Sequence, residues 1–150
     1  MTLEGKTMAR TFTVTFDAGD PKALGDFWQL ALDYVREPPP DGYATWEEQL
    51  QAWNLPPEHR NDANASVDPT GTGPRLFFQK MPEGKTVKNR IHLDVHVGDR
   101  GPGEAMDIEA MHAHAERLVE AGAAFIGEFH DPPGHWLLMH DPEDNEFCMV

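Results

Sequence analysis

The chain is 150 residues long and sets 12 Lys and Arg against 26 Asp and Glu, a formal net charge of -14. That balance excludes binding along a nucleic-acid backbone, which needs clustered basic side chains; a single cysteine, Cys148, excludes an internal disulfide or a cysteine-rich zinc site. Met1–Arg10 holds no apolar run of the kind a signal peptide or membrane span needs, so the sequence reads as one soluble, cytoplasmic domain whose partner is a small molecule.

Residues 1–9 read as a flexible extension, and the first strand spans Arg10–Phe16, where Phe12, Val14 and Phe16 alternate with Thr11, Thr13 and Thr15. Asp20 then caps a helix that starts at Pro21 and runs to Leu32. Its apolar residues Leu24, Phe27, Trp28 and Ala31 share the face that lies on a sheet. Tyr34–Glu37 is a short strand stopped by three prolines, and Ala44–Trp53 a short helix with Trp46, Leu50 and Trp53. A weak strand, Ala63–Val67, leads through the Asp68–Pro74 turn to a clearer one, Arg75–Lys80.

The next strand, Arg90–Val97, alternates strictly. Ile91, Leu93, Val95 and Val97 point one way, and His92, Asp94 and His96 the other, with about 7 Å between same-face neighbours. A loop at Gly98–Gly103 precedes a helix over Met106–Ala121, stopped by Gly122. His112 and His114 are two apart on that helix, cannot share a face, and are read as solvent histidines. Ala124–His130, a turn at Asp131–Gly134, Trp136–Met139, a turn at Asp141–Asn145 and Glu146–Val150 complete the chain, with His135 and His140 exposed by default.

The order strand, helix, strand, strand, Asp-Pro turn, strand occurs twice, with Asp68-Pro69 mirrored by Asp141-Pro142. Two βαβββ modules follow, about 10–82 and 88–150, within one domain over 10–150. Four segments then carry a resemblance: Asp20-Pro21 through Phe27-Trp28, Gly73–Gln79, Lys88–Val95 and Asp141–Cys148. In that order they resemble the vicinal oxygen chelate superfamily and its glyoxalase-like domains, the fold shared by glyoxalases, bleomycin resistance proteins and extradiol dioxygenases.

The resemblance implies an α+β fold in which paired modules form a curved mixed sheet with an open cleft, helices on the outer face, and a homodimer as the assembly. It also implies that metal ligands, in members that use them, come from the first and last strand of each module. Here those strands offer Thr11 or Thr13, Gln79, His92 and Cys148, of which only His92 is a usual ligand. A hydroxyl, an amide and a thiol suit a hard divalent ion poorly, so no cofactor is expected; a divalent metal, if present, would draw on Gln79, His92 and Cys148.

In such a cleft His92 is the group that titrates near neutrality and is the expected catalytic acid or base. Thr11, Thr13, Phe77, Gln79, Asp94, Trp136 and Cys148 are the expected substrate contacts, with Cys148 more a packed thiol than a nucleophile. The expected function is binding of a small oxygenated molecule with lyase- or isomerase-type proton transfer. The alternative is a sequestering protein of the antibiotic-resistance type, with Phe77, Trp46, Trp53 and Trp136 as stacking surfaces.

Overall fold

Asp20 starts the first helix as its position before Pro21 requires: its carboxylate accepts from the Ala23 amide at 3.1 Å and from the Asn61 side chain at 2.8 Å. In the computed structural model, which describes residues 9–98, 106–132 and 134–150, this is helix α1 (Pro21–Leu32). Leu24, Phe27, Trp28 and Ala31 are all buried along it. The N-terminal extension, save its last position, lies outside the described residues, as do most of the Gly98–Gly103 loop and Pro133 of the turn.

The elements follow as β1 (Thr13–Ala18), α1, β2 (Val35–Arg36), α2 (Trp46–Ala52), a 3₁₀ turn at Pro57–His59, β3 (Ala63–Val67) and β4 (Arg75–Lys80). The second half holds β5 (Leu93–Val95), α3 (Ile108–Glu120), β6 (Ala124–Asp131), β7 (Gly134–His140) and β8 (Glu146–Met149). Two open four-stranded sheets result, ordered β1-β4-β3-β2 and β5-β8-β7-β6. In both, the first and last strands of the module lie side by side and parallel while the rest are antiparallel, so the repeat read from the order of elements is a repeat of topology.

Strand register divides the faces. Leu76 and Phe78 of β4 are buried beneath α1, whereas Arg75, Phe77 and Gln79 point to the opposite face beside Thr13, Thr15 and Asp17 of β1. The two modules share one core: the Phe147 ring of β8 lies 5.1 Å from Trp28 and 5.9 Å from Phe27, both on α1. Trp28 Nε1 also donates to Asp141 at 3.0 Å, across the same boundary.

Several sequence expectations are corrected. The first strand begins at Thr13, so Thr11 precedes it. The Arg90–Val97 strand contracts to Leu93–Val95, and Ile91 is 83% exposed instead of facing inward. Among the described residues β8 is the only ladder partner of β5, and before Leu93 the Asn89 amide bonds the Glu146 carboxylate instead of a neighbouring backbone. His114 is buried: one ring nitrogen meets the Ala31 carbonyl of α1 at 2.9 Å and the other faces the Arg117 guanidinium at 2.7 Å. It closes the contact between α3 and α1.

Asp68 organises the turn into β4. Its carboxylate accepts from the Thr70 hydroxyl (2.7 Å) and amide (2.8 Å), the Gly73 amide (2.9 Å) and the Thr72 hydroxyl (3.0 Å). These bonds, the Thr70 hydroxyl foremost, hold its pKa at about 2 against an ordinary 3.8. Because the folded value is the lower one, the stability Asp68 contributes is complete above 3.8 and is lost as pH falls towards about 2. Asp68→Asn is therefore expected to melt below the parent protein at neutral pH and to converge with it through that acid window. Melting curves that stay equally spaced would show that the turn does not depend on the charge.

Candidate functional site

His92 lies one residue before β5, yet its side chain still meets that of Asp94 on the strand, and the parallel register of β5 with β8 sets Cys148 opposite Asp94. His92 Nε2 lies 3.2 Å from Asp94 Oδ1, with 44% and 52% of the two side chains exposed. The Cys148 sulfur completes a group of three donors that all lie within 4.8 Å of one another. Cys148 itself is 9% exposed, and burial, then the nearby Asp94 charge, push its thiol up from the usual range against a smaller opposing effect of Lys88. A neutral thiol is a weak nucleophile, which matches a packing role.

His92 opens onto a hollow of about 430 Å³ whose opposite wall is β1. Thr15 and Asp17 line it, whereas Thr11 and Thr13 do not. Glu146, two residues before Cys148, borders the same space and was not singled out from the sequence. Burial works against its charge, but the Asn89 amide at 2.9 Å and the Lys85 ammonium at 3.0 Å outweigh this and hold its pKa at about 2. Glu146 thus fastens the connection between the modules to the rim of the site.

The other expected contacts are distributed over the molecule. Gln79 donates its amide to Asp17 at 2.8 Å, Phe77 lies under the Arg75 guanidinium at 5.2 Å, and Trp136 stacks on Phe129 of β6 at 5.7 Å. A donor set for a metal can therefore be tested on the geometry. Imidazole, carboxylate and thiolate are the mixture a tetrahedral divalent ion such as zinc accepts, and three of them leave one position open. The fitting set is His92, Asp94 and Cys148, with Asp94 where the sequence pointed to Gln79.

A second histidine-carboxylate group lies elsewhere. His112 of α3 and His135 of β7 approach the same oxygen of Glu128 on β6, at 2.8 and 2.7 Å. Bonds from His135 and then His112 lower the Glu128 pKa, so two histidines expected in solvent instead tie three elements together.

The profile of the glyoxalase-like domain matches residues 13–150. By sequence, no curated protein matches the chain. Among solved structures, a glyoxalase/bleomycin resistance protein/dioxygenase family enzyme from Burkholderia phytofirmans is similar with a TM-score of 0.60 at 15% identity, over 91% of this chain and 94% of that one. A mutant of the fosfomycin resistance protein FosX from Listeria monocytogenes, complexed with Mn(II) and dihydroxypropylphosphonic acid, gives 0.60 at 10% identity over 95% and 90%. The bleomycin-binding protein of Streptomyces verticillus, complexed with copper(II)-bleomycin, gives 0.53 at 14% identity over 97% and 98%.

Proposed function

The chain belongs to the glyoxalase-like domain family within the vicinal oxygen chelate superfamily, and from that membership we propose that it binds a small oxygenated molecule beside β5 and transfers a proton through His92. The observation that carries this reading is the 3.2 Å approach of His92 Nε2 to Asp94 Oδ1 at the mouth of the hollow. A carboxylate facing Nε2 favours the tautomer with its proton there and leaves Nδ1 as the acceptor. When Nδ1 takes a proton from carbon next to a carbonyl, the imidazolium stands beside a negative charge that stabilises it.

A divalent ion would be held by His92, Asp94 and Cys148 and would supply polarisation of a substrate oxygen. The Mn(II) complex of the similar FosX protein supports considering such an ion. Metal analysis of protein purified without added metal separates the two forms of the reading.

The experiment is hydrogen exchange from D2O into small α-hydroxyketones, followed by NMR. His92→Ala is expected to lower exchange about a hundredfold or more while leaving the melting temperature close to the parent value, because the ring is half exposed. Lost fold stability with exchange retained would remove His92 from the mechanism.

The homodimer belongs to the same proposal. β6 is an edge strand on which Phe125, Ile126 and Phe129 are 47%, 48% and 44% exposed, a surface that an isolated copy would leave in water. Sedimentation should read a dimer for the parent and a monomer for Phe125→Glu; a parent protein that sediments as a monomer overturns the assembly.

A further inference from the structure

The insertion between β2 and β3 is built around an apolar stripe. Trp46, Leu50 and Trp53 follow one another at helical spacing along α2 and its end, so they share a face. In an ordinary amphipathic helix that face would be filled by core side chains. Here it stands over a cavity of about 240 Å³ whose floor is the face of the first sheet away from α1. Two alanines of β3, Ala63 and Ala65, keep that floor low, and Phe77 of β4 forms its far side.

Anchoring does not account for both tryptophans. Trp46 Nε1 donates to the Glu37 carbonyl at 2.7 Å and fastens the roof to the end of β2. Trp53 is 59% exposed at the opening, where an anchor would be buried. A cavity of this size lies just under the range of about 300–1,000 Å³ usual for drug-sized ligands and so suits a molecule of one or two rings.

Charge narrows the class further. In a chain of net charge -14, three arginines, Arg36, Arg60 and Arg75, line this one space. Both carboxylates there are already engaged: Glu37 takes two bonds from Arg75, at 2.9 and 2.8 Å, and Asp62 faces His59 at 2.9 Å. Among the described residues neither Arg36 nor Arg60 forms an ion pair, and the Arg36 guanidinium lies 5.6 Å from the centre of the Trp46 ring. Arg60 spends its Nε on the Leu55 carbonyl at 3.2 Å, which leaves its terminal nitrogens without a carboxylate partner. Two guanidinium groups without carboxylate partners, one of them over an aromatic face, favour an acidic group on a flat ring.

We propose that the space between the 41–62 insertion and the first sheet is a binding site for a flat aromatic molecule of one or two rings that carries a negative charge. It shares no lining residue with the hollow beside His92, so it stands independently of the proton-transfer reading.

Calorimetric titration with naphthoate, and with naphthamide as its uncharged counterpart, tests the site. Naphthoate is expected to bind one to one and at least about tenfold more tightly than naphthamide, the size of one charge-assisted bond. That preference should vanish in the Arg36→Gln/Arg60→Gln double variant. Trp53→Ala, at an exposed position that the fold does not need, should weaken binding about tenfold. Ala63→Phe should abolish binding by filling the floor, and His92→Ala should leave it unchanged. Equal affinity for the two probes, no heat at millimolar naphthoate, or binding kept in Ala63→Phe but lost in His92→Ala would each overturn the proposal.

Discussion

Asp141→Ala is expected to lower the unfolding free energy by about 3–5 kcal/mol, read as a fall in the urea midpoint without a change in slope. Asp141 is 2% exposed in the turn between β7 and β8. One carboxylate oxygen accepts from the Glu143 amide (2.9 Å), the Asn145 amide (3.0 Å) and the Asn145 side chain (3.1 Å). The other accepts from Trp28 Nε1 (3.0 Å) and again from the Asn145 side chain (2.9 Å).

Burial pushes the Asp141 carboxyl above its ordinary value even though Asn145, Trp28 and Glu143 donate to it, so the buried charge contributes little stability by itself. The loss in the alanine variant comes instead from donors left without partners, at about 1–3 kcal/mol for each that water cannot reach. Asp141→Asn keeps the shape and part of the accepting capacity and should lose clearly less. Equal losses in the two variants would mean that retained shape rescues nothing and that the turn needs the complete carboxylate.

The correspondence between Asp68 and Asp141 explains why the repeat could be read without residue identity between the halves. Each follows a strand, precedes Pro, and accepts the amide two residues on, Thr70 or Glu143. The turn chemistry is local, so the sequence displays it. Helix α1 was legible for the same reason, since its cap, its Pro21 and its stripe all lie within a dozen residues.

What escaped the sequence depends on partners distant along the chain. Ile91 alternates as an inward residue would, but nothing local reveals that the ladder begins only at Leu93. His114 sits on the stripe with Met111 and Leu118, and the periodicity contained that signal; its polarity suggested solvent because the Ala31 carbonyl that receives it is on another helix. At the candidate site, the pairing of His92 with Asp94 follows from period two. The meeting of Asp94 with Cys148 required the register of β5 against β8, and the engagement of Gln79 with Asp17 required that of β1 against β4. The stripe of α2 was visible too, but a stripe does not say whether side chains or a cavity lie beneath it.

Phe147→Ala should cost about 3–5 kcal/mol, the range for truncating a fully buried aromatic residue. Phe147 is 0% exposed, lies opposite Leu93 of β5 and Met139 of β7, and contacts both Phe27 and Trp28 of the first module. Its removal therefore empties the place where the modules meet, whereas Phe147→Leu keeps most of the volume and should lose about 1.5 kcal/mol or less.

The single cysteine provides a local reading of the same change. Cys148 is adjacent to Phe147 and buried, so labelling by a disulfide reagent needs an opening of the structure. If that opening is global, a 3–5 kcal/mol loss raises the open population, and with it the labelling rate, by a hundredfold or more, since about 1.4 kcal/mol corresponds to each factor of ten. A labelling rate that stays constant while the urea midpoint falls would instead mean that the reagent enters by separation of β5 from β8 alone. Asp94, with His92 just before its strand, would then open independently of the core, and the geometry of the candidate site would be set by β5 rather than by the packing beneath it.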